Sequence, residues 1–286
     1  MKCFFIKCSA VFLALALCLA GLTVPALAEA EKIVVAVTIL PQKTLAGAVV
    51  GDLADVITMV PAGTNPGNYE PTPIEMEAFS KAKVYFTIGV PTEKANILPD
   101  AKDMNVVDLA VIVAERYPDC QFPSGSRDPH IWLSPKRAIV MVNTMAEKLG
   151  EVDPNNAATY QANAEVCIAQ LKDLDQYIAT AFHNKRKKEF IAYHPAYGYI
   201  ADDYGLIMYA LEEDGKEATP REFAEMVDLA KSNNIKIIFS QAEIDSKLPD
   251  AFAEEVGGTK VMLEPLSADY ISNLKTMADA IANSMS

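Results

Sequence analysis

Three side chains able to bind a late dication stand at turns in this chain. His194 follows the apolar run Phe190-Ile191-Ala192-Tyr193, Glu264 follows Val261-Met262-Leu263, and His130 lies in a loop between Pro129 and the sole tryptophan, Trp132. The two runs read as strands. His194 and Glu264 therefore stand at strand carboxyl ends, where Pro195 and Pro265 turn the chain. Imidazole nitrogen and carboxylate oxygen both bind zinc at about 2.0–2.2 Å, so two histidines and one acid make a chemically sensible trio. Taken singly, a histidine beside proline is more often a hydrogen-bonded turn residue. Glu264 alone fits a solvated carboxylate, and Trp132 fits a core position. His183 reads as surface, beside the basic run Lys185-Arg186-Lys187-Lys188 at the end of a long helix, where the helix dipole favours cations.

The elements that must position these groups alternate between strand-like and helix-like stretches. Strands are predicted over 32–40, 54–60, 83–89, 104–109, 189–193, 206–211, 235–240 and 260–263. Helices are predicted over 41–50, 73–82, 135–149, 196–204, 220–231, 248–256 and 268–285. Such alternation argues for parallel sheets covered by helices. The stretch 153–183 differs. Asp153-Pro154 is a sound helix start, and no glycine or further proline follows. Tyr160, Ala164, Cys167, Ile168, Leu171, Leu174, Ile178 and Phe182 recur at three- and four-residue steps, one apolar stripe on a rod of roughly 45 Å. The expected fold class is α/β, with two lobes of mostly parallel sheet joined by that helix. The expected division is a leader at 1–28, an N-terminal lobe at 29–152, a linking helix at 153–185 and a C-terminal lobe at 186–286. A ligand in such a fold belongs at strand carboxyl ends, between the lobes.

Lys2 and Lys7, an apolar run from Ser9 to Leu22 and the small-residue pattern Ala26-Leu27-Ala28 read as a cleaved secretory signal. The run is short for a membrane span. Leu17 rather than a small residue precedes Cys18, which argues against a lipid anchor. The expected location is the periplasm. Net charge is −13 on 286 residues, and loss of Lys2 and Lys7 makes the mature chain more acidic. Such a chain repels nucleic acid and anionic lipid and tolerates cationic ligands. Cys120 and Cys167 remain after processing. They can pair in an oxidising compartment or stay as buried thiols.

As an ordered set the segments resemble one family, the zinc- and manganese-specific solute-binding proteins of bacterial ABC importers (the ZnuA/TroA-like group). The resemblance covers essentially the whole mature chain. It rests on Pro66-Gly67-Asn68-Tyr69-Glu70-Pro71, Asp128-Pro129-His130-Ile131-Trp132-Leu133, Tyr193-His194-Pro195-Ala196-Tyr197-Gly198-Tyr199, Asp153-Pro154-Asn155-Asn156-Ala157 and Leu263-Glu264-Pro265-Leu266. It implies that His130 and His194 are metal ligands. Glu264 stands where the family usually has aspartate. Gly67 stands where it usually has histidine, so Asn68, Asn65 or water would complete the shell, and amide oxygen is a poorer zinc ligand than imidazole. The His-rich loop that zinc importers of this group often carry is missing: 89–121 holds no histidine.

The function this implies is a periplasmic receptor, expected as a monomer and not an enzyme. It would capture Zn²⁺, or alternatively Mn²⁺, as its transported ligand in the interlobe cleft and deliver it to an inner-membrane ABC permease. Histidine at 194 leans toward zinc. One alternative keeps the fold but remodels the Gly67 loop for another cation, a chelate or an organic ligand. Another is a zinc hydrolase, since two histidines, one glutamate and a water also form a catalytic zinc shell. The chain lacks His-Glu-x-x-His, and Glu243 and Asp245, the nearest candidates for a base, read as loop acids.

Overall fold

The computed structural model describes residues 32–102, 104–213 and 215–285. The leader expected at 1–28 lies outside them. The described residues belong to one compact unit.

The first sheet comprises β1 (Ile33–Val37), β2 (Ala54–Thr58), β3 (Ala82–Thr87) and β4 (Asn105–Asp108), all parallel in the order β2-β1-β3-β4. Its helices are α1 (Leu40–Val50), α2 (Pro73–Phe79) and α3 (Leu109–Ala114). Two helices then form an α-hairpin, α4 (Pro135–Val152) and α5 (Ala157–His183). The second sheet comprises β5 (Glu189–Ala192), β6 (Ile207–Ala210), β9 (Ile237–Ser240) and β10 (Thr259–Met262), again parallel, in the order β10-β9-β5-β6. Helices α6 (Gly198–Tyr204), α7 (Pro220–Asn233), α8 (Leu248–Glu255) and α9 (Tyr270–Ser284) complete this half. A two-stranded antiparallel hairpin, β7 (Glu212–Glu213) and β8 (Lys216–Glu217), leaves the end of β6.

The helix starts follow local chemistry. Thr72-Pro73 and Thr219-Pro220 open α2 and α7 with capping boxes closed by Glu75 and Glu222, and the Ser134 hydroxyl caps α4. The apolar stripe on α5 is borne out: all eight predicted positions are buried, and the helix packs against α4, α1 and α9. The predicted start needs correction. Pro154–Asn156 form a 3-10 turn before α5, and the Asp153 carboxylate accepts from the Asn156 amide and the Tyr160 hydroxyl (2.7 Å each), not from a helix N–H. Among the described residues, sequence reading missed α3, the β7–β8 hairpin, a π-type turn at Glu93–Ile97 and 3-10 turns at Leu98–Asp100 and Ile131–Leu133.

Helices α4 and α6 are bound by a buried ion pair. Arg137 donates to Asp203 at 2.9 Å, stacks 4.3 Å from the Tyr199 ring and donates to the Pro118 carbonyl. Ser134 donates to the same Asp203 carboxylate. Arg137 lies on the helix that follows the His130 segment, and Asp203 on the helix that follows the His194 segment.

Candidate metal centre

His130 precedes a 3-10 turn, Ile131–Leu133, that leads into α4. Pro129 and Ser134-Pro135 fix its flanks, and Trp132 is buried. Asp128 Oδ1 accepts both the His130 backbone N–H (2.9 Å) and its Nδ1 (2.6 Å). The Asp128 carbonyl accepts the Tyr199 hydroxyl at 2.8 Å. Trp132 Nε1 donates to the Pro265 carbonyl at 2.8 Å, so the core tryptophan also ties the His130 segment to the Glu264 segment.

His194 lies just past the carboxyl end of β5. Its Nδ1 meets Glu212 Oε2 at 2.9 Å; Glu212 sits on β7, is 5 % exposed, and accepts the Gly215 N–H with its other oxygen. With both Nδ1 atoms donating to carboxylates, each imidazole keeps its Nε2 lone pair free for a metal. The two Nε2 atoms face each other at 3.2 Å. Burial lowers the His130 pKa, partly offset by Asp128 and reinforced by His194, so the ring is neutral at neutral pH. A neutral imidazole is the metal-binding form.

The other expected residues stand apart. Glu264 is exposed beyond β10, and its carbonyl accepts the Asn273 amide at 2.7 Å. Among the described residues, no three His, Cys, Asp or Glu side chains converge closely enough to hold a metal ion. Asn65 Oδ1 accepts the Gly67 N–H at 2.7 Å, and Asn68 is exposed. Their loop is pinned at its base by Asn96, which donates to the Tyr69 carbonyl at 2.8 Å, and by Thr92, whose N–H meets the Pro66 carbonyl at 3.3 Å. Cys120 and Cys167 are unpaired, and burial pushes the Cys120 thiol up to about 12. His183 is exposed, as expected. Sequence reading missed Asp128 and Glu212 as histidine partners. Asp128 could have been found from its place two residues before His130; Glu212, 18 residues from His194, carries no local signal.

Two parallel α/β lobes on one long helix form the architecture of a metal-specific solute-binding protein of ABC importers. The chain belongs to the ZnuA family, described as zinc-uptake complex component A, periplasmic, which matches residues 35–284. It is 31 % identical over 283 residues to the high-affinity zinc uptake system protein ZnuA of Bacillus subtilis, covering 90 % of this chain and 89 % of that protein. A crystal structure of ZnuA superposes with TM-score 0.83 at 33 % identity, over 90 % of this chain and all of the other. The periplasmic zinc-binding protein TroA of Treponema pallidum shares the fold, with TM-score 0.82 at 17 % identity over 89 % of this chain and 99 % of the other. Among the described residues, no helix is long and apolar enough to cross a membrane.

Proposed function

We propose that this protein captures Zn²⁺ in the cleft between its lobes, through His130 and His194 with carboxylate help from Glu264, and releases it to an inner-membrane ABC permease. It acts in the periplasm as a monomer and catalyses no reaction. The observation that carries the reading is the 3.2 Å approach of the two Nε2 atoms, each backed by a buried carboxylate on Nδ1. A tetrahedral zinc with Zn–N near 2.0–2.1 Å sets two imidazole nitrogens about 3.3 Å apart. The rings therefore already stand near that spacing. The buried carboxylates fix the tautomer and the orientation of each ring, as they do around other bound zinc ions.

Gly67 offers no side chain to the shell. Capture is therefore weaker than at a three-histidine site, by ten- to a hundred-fold or more on a rough extension from outer-shell losses. Calorimetry of the chelator-stripped protein tests both statements. One zinc per chain, with micromolar rather than nanomolar affinity, and loss of binding in the His130→Ala/His194→Ala double variant are expected. Unchanged zinc uptake by the double variant would sink the reading. Oxygen donors beside the histidines also admit Mn²⁺, at lower affinity than zinc.

A further inference from the structure

Phe122 lies on a short hairpin between α3 and the His130 segment. Gln121 and Arg127 form an antiparallel bridge at its base. The Phe122 N–H donates to the Ser126 carbonyl at 2.9 Å, and the Gly125 N–H to the Phe122 carbonyl at 2.8 Å. Arg127 anchors the base by donating to Asp119 at 2.6 Å and to the Ala110 carbonyl at 3.1 Å. The tip, Pro123 to Ser126, is exposed. A half-buried phenyl ring beside such a tip would ordinarily pack into a core. Phe122 belongs to none of the apolar clusters formed by the described residues. Its ring instead meets the His130 imidazole edge-on, with centroids 6.5 Å apart.

Among the described residues, three aromatic rings flank His130. Trp132, at 5.0 Å, is a core residue 1 % exposed, and His194, at 5.1 Å, is the partner across the site. Phe122 is on the solvent side, since it alone of the walls sits on an exposed hairpin. The same hairpin borders the second histidine. Ser124 at its tip lines a cavity of about 630 Å³ together with Glu212, Glu213 and Lys216 of the β7–β8 hairpin. Glu212 is the carboxylate that holds His194.

We infer that the hairpin 120–127 is a gate over the cation site and that Phe122 is its closing side chain. The inference rests on the zinc-capture reading above. The hairpin is pinned at its base by Arg127 and solvated at its tip, so the tip is the part free to swing the ring off His130. An apolar ring over a polar site keeps water from the ion while the hairpin is shut. The ring offers a cation no donor atom, so it acts on the barrier between the bound and free states rather than on the bound state itself. A cover of this kind sets the rates of entry and exit together.

Stopped-flow kinetics of the mature chain test this, mixing stripped protein with zinc and zinc-loaded protein with excess chelator. Trp132, the sole tryptophan, stands 5.0 Å from the His130 ring and reports binding through its own fluorescence. Phe122→Ala is expected to speed capture and release alike, each by about ten-fold, and to leave zinc affinity within about three-fold of wild type. Phe122→Leu keeps an apolar cover, folds as the half-buried position allows, and should give rates between the two. Faster release with unchanged capture, and affinity weakened to match, would mean that Phe122 only props the His130 ring, and that pattern overturns the gate. Wild-type rates in both variants overturn it as well, while zinc uptake itself stands. If the wild type takes up no zinc, the capture reading fails and the gate with it.

Discussion

Gly198 lies so close to Asp128 that a Cβ on it would sit 2.5 Å from Asp128 Oδ2. Asp128 is the residue that holds the His130 ring, and Gly198 lies four residues past His194. The absence of a side chain at 198 thus lets the two histidine segments close on each other. Gly198→Ala forces the Asp128 carboxylate to shift and takes the His130 ring with it. The expected outcome is a zinc affinity lower by about ten-fold or more, the range seen when a group orienting a metal-bound histidine is disturbed. Calorimetry beside a thermal melt checks this; a variant with normal zinc affinity would show that Asp128 does not position the ring.

Gly67 has room for a side chain at modest cost. Its Cβ would meet Asn65 Oδ1 at 3.0 Å, an amide oxygen that can swing aside, and its φ lies outside the left-handed region. Gly67→His therefore folds normally. If the loop reaches the cleft, the added imidazole tightens zinc about ten-fold or more. Zinc titration against a competing chelator measures the difference.

Arg137 and Asp203 are both buried, and each holds several partners. Removing one member strands the other charge away from water. Arg137→Ala is expected to cost about 3–5 kcal/mol in urea unfolding. Because this joint ties together the two helices that follow the histidine segments, zinc affinity should fall as well. A loss under 1 kcal/mol would mean that solvent reaches the pair.

Glu93 is buried at the carboxyl end of β3. Its oxygens accept the N–H groups of Ile88 and Gly89 at 2.8 Å each, and the Thr38 hydroxyl. Burial pushes its pKa up to about 7 from 4.5, with a smaller push from the charge of Asp108. Between those pH values the folded chain keeps a proton that the unfolded chain has lost. The stability this gives is full below pH 4.5, fades as pH rises, and is gone above about 7. The span corresponds to ~3 kcal/mol. Glu93→Gln cannot titrate, so its unfolding free energy should vary less with pH across this window. Urea melts of both proteins at pH 4.5 and 7.5 give the comparison, and parallel curves would refute a neutral buried carboxyl.

The two-lobe plan was readable because its signals are local. Thr219-Pro220 marked the start of α7, apolar residues at helical spacing marked α4, and the three-and-four spacing from Tyr160 to Phe182 marked the buried face of α5. His130 and His194 were nominated for their turns and for the family pattern, and the fold brings them together. Asn65, Asn68 and Glu264 were nominated from the same pattern, and the fold leaves them on exposed or half-buried loops. Glu243 read as a loop acid because nothing in Gln241-Ala242-Glu243 tells a solvated carboxylate from one whose oxygen is buried.

Strand and helix order, the long buried stripe and the metal-competent residue types were all written in neighbouring residues, because periodicity and turn chemistry depend on spacings of a few positions. The meeting of His130 with His194, the pairing of Glu212 with an imidazole 18 residues away and the unpartnered oxygen of Glu243 were decided only when the chain packed. Those contacts depend on the register of two sheets and on the joint between α4 and α6, which bring together residues far apart in the chain. No local stretch of sequence carries that information.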